Sequence, residues 1–398
     1  MKYFVLLGDG MADHSCPELD NKTPLEAASK PVMDRLASGG VMGLCKTVPD
    51  NMVPESDTAN LSIMGYPPEI YSAGRSPLEA VSLGITLEKD QAAIRANLVC
   101  LTGDGEYENL VMDDNTAGEI TTPEARELIE YLDANLLCGS TDRIYTGIAY
   151  RHCFITENWN GFRDFTRPHD IMGQYIGEYL PPEPYLTLQR RSRELLENHP
   201  VNLKRAAEGK KKANSIWLWS PGKNPALPSF KETFGLDGAV VCAVDLIKGI
   251  GLCAGMEVPF VEGATGGTDT DYRAKEKEAE NQFNKGKELV YLHVEAPDEY
   301  GHQGNAVGKK NSIEKLDSEI LAPMLEYLSA CGDDFRILVL PDHFTPVATR
   351  THGRGEVPFI IYDSRRQVYP IRRYTEKEAA NGPYVPTGPE LMKMLLER

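Results

Sequence analysis

The sequence predicts an α/β fold: a doubly wound, mostly parallel sheet with an α+β cap inserted into it. Two observations carry this. Residues 3–7, 289–294 and 335–340 are short apolar runs with the pattern of buried strands, and each breaks off into polar, functional residue types. Between 86 and 234 the composition changes, with Pro-rich connections at 181–184, an Arg- and Glu-rich stretch after 186 and a basic stretch at 204–212. The predicted division is a discontinuous core of 1–85 and 235–398 around an inserted cap of 86–234.

The first run ends in Gly8-Asp9-Gly10. A polar loop follows, then a helix start at Thr23-Pro24-Leu25-Glu26-Ala27-Ala28, a second helix over 31–37 that stops at Gly39-Gly40, and a strand over 41–45. Pro49 and Pro54 punctuate the next loop, Ser56 or Asp57 caps the helix that follows, and Gly65, Pro67 and Pro68 end it. That places the Ser56 hydroxyl at a helix N-terminus, where unpaired N–H groups and the dipole favour an anion such as phosphate. Taken alone, Ser56 reads as an N-cap; the company of residues elsewhere in the chain overturns that. Arg75, nearby in sequence, reads either as a phosphate clamp or as a solvated loop arginine.

The cap segment contains strand-like pieces at 92–101 and 144–155, a polar turn at Gly103-Asp104-Gly105, and amphipathic helices over 122–133 and 186–198. The basic stretch has Glu and no aromatic residue, the pattern of a solvated face. The core resumes with a strand at 239–243, a helix over 245–254 and a strand at 256–261. Gly249-Ile250-Gly251 with Gly255 sits inside that helix at the wrong spacing for a dinucleotide fingerprint, and the chain has no P-loop. Residues 263–268 form a flexible turn, a candidate hinge, before a charged helix over 271–285.

The remaining two strand runs end in Glu295-Ala296-Pro297-Asp298-Glu299-Tyr300-Gly301-His302 and in Pro341-Asp342-His343, with His352 nine residues beyond. Open α/β sheets bind ligands beyond the carboxyl ends of their strands. Three strands therefore bring Asp and His to one edge. Carboxylate and neutral imidazole suit a pair of divalent ions, Mn²⁺ or Zn²⁺ with Mg²⁺ also admissible, that leave positions open for substrate. Such a pair stabilises the attacking and leaving oxygens of an in-line displacement and activates a serine. Singly, each aspartate also reads as a helix cap and each histidine as a loop residue.

Composition bounds the alternatives. At 398 residues, with 41% hydrophobic and 25% charged side chains, the chain is ordinary for a globular protein of two or three domains. A net charge of −17 argues against nonspecific binding to nucleic acid or anionic membranes. An anionic substrate then needs local cations or metals. The eight cysteines are scattered without a Cys-x-x-Cys pair, as expected of free thiols in a reducing cytosol. The chain begins directly in a strand run and has no 18-residue apolar stretch, so a cytoplasmic location is expected, with no protein partner inferred.

Gly8-Asp9-Gly10, the stretch Ser56-Asp57-Thr58-Ala59-Asn60-Leu61-Ser62, Asp298 with His302, and Asp342-His343 with His352 resemble the alkaline phosphatase superfamily, and within it the cofactor-independent phosphoglycerate mutases of archaeal type. The resemblance spans nearly the whole chain. It implies one metal held by Asp9, Ser56, Asp342 and His343, and a second held by Asp298, His302 and His352. It implies Ser56 as nucleophile, passing through a phosphoserine, and a cap that closes over the metals and excludes water.

A small phosphorylated substrate of this kind needs cations for a phosphate and a carboxylate together. The candidates are Arg151 beside His152, Arg95, Arg75, Lys223 and His169, each of which also reads as an ordinary structural or solvated residue. Two departures from the archaeal pattern stand out. Asp113-Asp114-Asn115-Thr116-Ala117-Gly118-Glu119 replaces Asp-Arg-Arg-Ala-Gly-Arg, and Trp219-Ser220-Pro221-Gly222 replaces Arg-Gly-x-Gly. Both remove cations, and the new carboxylates suit an ammonium group. The stretches Ser215-Ile216-Trp217-Leu218-Trp219 and Pro225-Ala226-Leu227-Pro228-Ser229-Phe230 also resemble a bacterial subgroup proposed to be homoserine kinases. The expectation is interconversion of 3- and 2-phosphoglycerate. The alternatives are an ATP-dependent kinase of a small amino-acid hydroxyl, and a phosphatase or noncatalytic relative.

Overall fold

The computed structural model describes residues 1–88, 90–366 and 372–397. It divides into two compact units, Met1–Ser72 with Ala226–Arg398, and Ala73–Pro225. In chain order the strands are β1 (Lys2–Gly8), β2 (Gly40–Cys45), β3 (Ala92–Thr102), β4 (Val111–Asp114), β5 (Arg143–Ile148) and β6 (Arg151–Thr156). They continue with β7 (Ser215–Lys223), β8 (Gly238–Val241), β9 (Leu289–Val294), β10 (Phe335–Leu340), β11 (Val357–Asp363) and β12 (Tyr384–Val385).

The discontinuous unit is built on a seven-stranded sheet of order β12-β2-β11-β10-β1-β9-β8. β1 lies parallel between β9 and β10, and β8 is parallel to β9. β11 runs antiparallel to both its neighbours. β9 and β10 are buried along their whole length and β1 beyond Lys2, as expected of parallel strands covered on both faces, which explains why their sequences are apolar but for His293 and Arg336. Helices cover the sheet, and Phe4, Leu6, Val290, Leu292, Ile337 and Val339 meet Leu36, Ile313, Leu316 and Phe283 in its main core. Each such side chain removed from water contributes about 1.5–3 kcal/mol before entropy is counted.

One expectation in this unit changes. Residues 256–261 do not form a strand; only Glu257 bridges, to Ala239, because Pro259 has no N–H to continue a ladder. The glycines at 249 and 251 lie inside the helix Asp245–Cys253. A Cβ on Gly251 would come within 2.9 Å of Val240 and Val258, so this glycine serves close helix–sheet packing.

The inserted unit is an antiparallel sheet of order β4-β3-β6-β5, with β7 on the other side of β3. The predicted strand 144–155 is a hairpin, β5 and β6, turning at Ala149, whose φ is 52°. Period-two alternation sorts the side chains of β3, β6 and β7. Ile94, Ala96, Leu98, Phe154, Ile216 and Leu218 face the helix Thr122–Leu136, which starts in a Thr121/Glu124 capping box and buries Ala125, Leu128, Ile129 and Leu132. Val99, Leu101, Trp217 and Trp219 point the opposite way, into a second cluster.

The unit junctions fall at 72/73 and 225/226, where the sequence suggested 85/86 and 234/235. Packing decides both. The helix Arg75–Ser82 places Ala80 against Ala93 and Cys153 of the inserted sheet. The helix Phe230–Phe234 sets the Phe234 ring edge-on to Tyr66, both within the discontinuous unit, with centroids 6.1 Å apart. Among the described residues no helix is long and apolar enough to cross a membrane.

Candidate metal centre

The three adjacent parallel strands β9, β1 and β10 end side by side, and the segments that leave them carry the acidic and imidazole groups. Asp9 directly follows β1. Beyond β9 the chain enters the helix Ala296–His302, where Asp298 and His302, four residues apart, share a face. Asp342 and His343 follow β10, and His352 returns on the next loop. Ser56 opens the helix Ser56–Ile63, which stops at Met64 and Gly65, the latter at φ 93°.

These side chains converge. Asp9, Asp342 and His343 present ligand atoms within 4.8 Å of one another, and so do Asp298, His343 and His352. His343 thus stands in both sets. Its Nε2 is 3.2 Å from Ser56 Oγ, 3.4 Å from Asp342 Oδ2 and 3.6 Å from Asp9 Oδ1. On the other side, His302 Nε2 is 3.1 Å and His352 Nε2 3.6 Å from the two oxygens of Asp298. The His343 and His352 rings lie 4.1 Å apart. All seven residues expected as ligands or nucleophile are therefore in one cluster.

The electrostatics of that cluster call for cations. Burial, then the like charges of Asp342 and Asp298, push the Asp9 carboxyl well above its ordinary range. Its Oδ1 is buried without a hydrogen-bond partner. Burial also acts to raise Asp298, but its bonds to His302 and His352 outweigh that and hold it well below the usual range. The hydrogen bond to Asp298 pushes His302 up to about 9, whereas burial lowers His343. Three buried carboxylates with three imidazoles, and an orphaned oxygen among them, fit divalent cations.

A second layer orients these groups. Asp342 Oδ1 accepts the N–H groups of Gly10 (3.0 Å) and His343 (2.9 Å), and its Oδ2 accepts from Asn60 Nδ2 (3.1 Å). Asn60 sits one turn after Ser56, also donates to the Ser56 carbonyl, and accepts from Tyr291 Oη at 2.6 Å. Behind Asp9, His293 Nε2 lies 3.3 Å from Oδ2, its Nδ1 is 3.1 Å from Glu295, and Glu295 is paired with Lys275 at 2.8 Å. His352 Nδ1 is 2.9 Å from the Pro54 carbonyl, which ties the loop carrying Ser56 to the one carrying His352. This layer was not read from the sequence. Its one legible signal was Asn60, four residues from Ser56, while His293 is hidden inside an apolar strand.

The inserted unit gathers four of the six expected cations. Arg95 Nη1 is 3.1 Å from Glu79 Oε1, Arg75 Nε is 4.0 Å from the same oxygen, and the Arg95 guanidinium lies 4.7 Å from the Trp219 ring centroid. Burial lowers the Arg95 pKa, and the charges of Arg75 and Arg151 add to that by repulsion. His169 meets Trp219 edge-on at 5.7 Å. Lys223 is exposed at the end of β7, opposite Ala92. His152 pairs with Ala96 and so points to the opposite face from Arg95 and Arg151. It is buried, accepts from Gly147 N at 3.2 Å, and is pushed down to about 3 by burial alone.

The two departures in sequence look different in three dimensions. Asp113 and Asp114 share Lys211, with Oδ2 atoms 3.0 and 3.3 Å from its Nζ, and Asp114 also caps Thr116. One ammonium already bridges both carboxylates, so they do not present themselves bare to an ammonium group. Trp219 stands where the archaeal pattern has arginine, and it braces Arg95.

The profile of the family described as 2,3-bisphosphoglycerate-independent phosphoglycerate mutase matches residues 37–202. A relative of that name from Methanosarcina mazei is 46% identical over 388 residues, covering 96% of each chain. One from Geobacter sulfurreducens, named as a probable enzyme of the same kind, is 45% identical over the full length of both chains. The solved structure of a cofactor-independent phosphoglycerate mutase from Thermoplasma acidophilum superimposes with a TM-score of 0.68 at 25% identity, covering 100% of this chain and 99% of that one. These matches give the amino-acid kinase alternative no support. On full-length relatives of this identity, the chain belongs to the 2,3-bisphosphoglycerate-independent phosphoglycerate mutase family.

Proposed function

We propose that the chain interconverts 3-phosphoglycerate and 2-phosphoglycerate by passing the phosphoryl group through Ser56. The observation that carries this is the placement of Ser56 Oγ, at the start of its helix and 3.2 Å from His343 Nε2, within the cluster of Asp9 and Asp342. Asp9, Ser56, Asp342 and His343 would hold one divalent ion, and Asp298, His302 and His352 the other. Bound there, the ions supply Lewis acidity that activates the serine and neutralises the transferring phosphoryl group.

The chain's own residues do the rest. Ser56 Oγ attacks phosphorus in line: its bond to phosphorus forms, the bond from phosphorus to the C3 oxygen breaks, and the serine proton is balanced by protonation of that oxygen. The phosphoserine lies at a helix N-terminus, which favours its charge. The C2 hydroxyl of the same glycerate then attacks, and Ser56 is regenerated without water or nucleotide. Arg75, Arg95 and Arg151, with His169 and Lys223, are assigned to the anionic substrate, for which forked guanidiniums are well shaped. His152 is assigned to the interior of the same unit. A substrate of central metabolism and eight unpaired cysteines agree with a reducing cytoplasm.

The test is ³¹P NMR of metal-loaded protein with 3-phosphoglycerate alone. Appearance of 2-phosphoglycerate is expected; release of inorganic phosphate as the sole product would contradict the proposal in favour of hydrolysis.

A further inference from the structure

Lys309 has no exposed surface. Its ammonium group donates to Ala12 O at 3.1 Å, Asp13 Oδ2 at 2.7 Å and Thr345 O at 2.8 Å. An ammonium has three donors, so all are used and none is left for a ligand or substrate. The three acceptors lie in two loops that leave neighbouring strands. Ala12 and Asp13 follow Asp9, and Thr345 follows Asp342 and His343. Lys309 itself is on the helix Ala306–Lys315, just after the helix that carries Asp298 and His302. One charge therefore joins three of the segments that supply the metal centre, those carrying Asp9, Asp298 with His302, and Asp342 with His343.

The joint is reinforced at each end. Asp13 is buried, and its Oδ2 also accepts Val347 N at 3.2 Å, while Glu376 accepts Asp13 N at 3.3 Å and Thr23 Oγ1 at 2.7 Å. Phe344 bridges to Met11 and Ala12, zipping the two loops together. Thr345, whose carbonyl Lys309 holds, donates through Oγ1 to Asp298 Oδ1 at 2.5 Å and lies 3.2 Å from His343 Nδ1. There is little slack: a Cβ on Gly10 would stand 2.5 Å from both Asp298 Oδ1 and Thr345 Oγ1.

We propose that Lys309 is a positioning residue that presets the ligand loops, so that both divalent ions find their donors already in place. The geometry acts along Lys309–Thr345–Asp298/His343 and along Lys309–Asp13, without Lys309 touching a donor atom. This rests on the metal centre proposed above, and the experiment separates the two. Mn²⁺ binding is first measured on the wild-type chain by calorimetry and electron paramagnetic resonance. Failure to bind Mn²⁺ would overturn the metal centre itself.

The informative variant is Lys309→Met combined with Asp13→Asn, which removes both buried charges together and avoids a lone one. With the fold verified by circular dichroism, Mn²⁺ affinity at one site or both is expected to fall by about 10- to 100-fold, the usual effect of losing an outer-shell partner. The Mn²⁺ resonance is expected to broaden, and kcat to fall with KM little changed. If the double variant does not fold, Thr345→Val, which cuts the hydroxyl links alone, is expected to give the same loss of affinity. Wild-type Mn²⁺ affinity, spectrum and kcat in the folded double variant, or wild-type Mn²⁺ affinity in Thr345→Val where the double variant fails, would overturn the proposal and leave Lys309 a residue of the core only.

Discussion

His302 Nε2 and His352 Nε2 stand 3.1 Å apart, facing the single carboxylate of Asp298. Without metal, a proton has to do part of the work of a cation there. The hydrogen bond to Asp298 raises His302 from 6.5 to about 9, and His352 is shifted upward as well, its bond to Asp298 outweighing burial. A histidine whose folded pKa is raised contributes stability that is complete below 6.5 and lost as pH rises through the folded value. The melting temperature of chelator-treated protein is therefore expected to fall from pH 6.5 to 9, and that of Mn²⁺-loaded protein to change less. Mn²⁺ affinity should rise over the same interval, with proton release, because metal and proton compete. Pairwise melting curves and titrations at the two pH values check this; affinity that falls with pH would contradict it.

Trp219 is expected to act through Arg95. Replacing it by leucine keeps an apolar side chain against the sheet but removes the ring under the guanidinium, an interaction worth about 0.5–2 kcal/mol. KM for 3-phosphoglycerate should rise by roughly 2- to 30-fold, with kcat changed little. A kinetic series on a folded Trp219→Leu protein decides it, and an unchanged KM would remove Trp219 from substrate binding.

Arg151 and His152 are neighbours in sequence and opposites in the sheet, and their variants should separate accordingly. Arg151 is exposed, so Arg151→Gln should raise KM by about tenfold or more, as loss of a charge-assisted contact does, and leave the melting temperature nearly unchanged. His152 is buried against the helix-covered face, so His152→Ala should cost about 1–3 kcal/mol of stability with KM preserved. Parallel thermal melts and kinetics on the two proteins test the assignment; the reverse pattern would show that the alternation argument had chosen the wrong face.

The centre was legible in the sequence because its donors sit where a chain has to change character. Asp9, Asp298 and Asp342 each mark a passage from an apolar strand to a polar turn, and Ser56 marks a helix start. The supporting layer has no such punctuation. His293 lies in β9 among Leu292 and Val294, and Lys275 in a helix of mixed charge, so only the sheet order reveals that they lie behind Asp9 and Glu295. The compact units part at other residues than the sequence suggested for a related reason: the helix Arg75–Ser82 follows Ser56 in sequence but packs with β3 and β6. Likewise, Asp113 and Asp114 read as unmatched acids because Lys211 is far away along the chain and adjacent only after folding.

In the proposed reaction Ser56 itself carries the phosphoryl group. Metal-loaded protein mixed with 3-phosphoglycerate and quenched within the first turnovers, then digested and analysed by mass spectrometry, tests it directly. Phosphate is expected on the peptide at Ser56, with none in Ser56→Ala protein, and loss of 2-phosphoglycerate formation in that variant with the fold retained. Production of 2-phosphoglycerate by Ser56→Ala at the wild-type rate would contradict it.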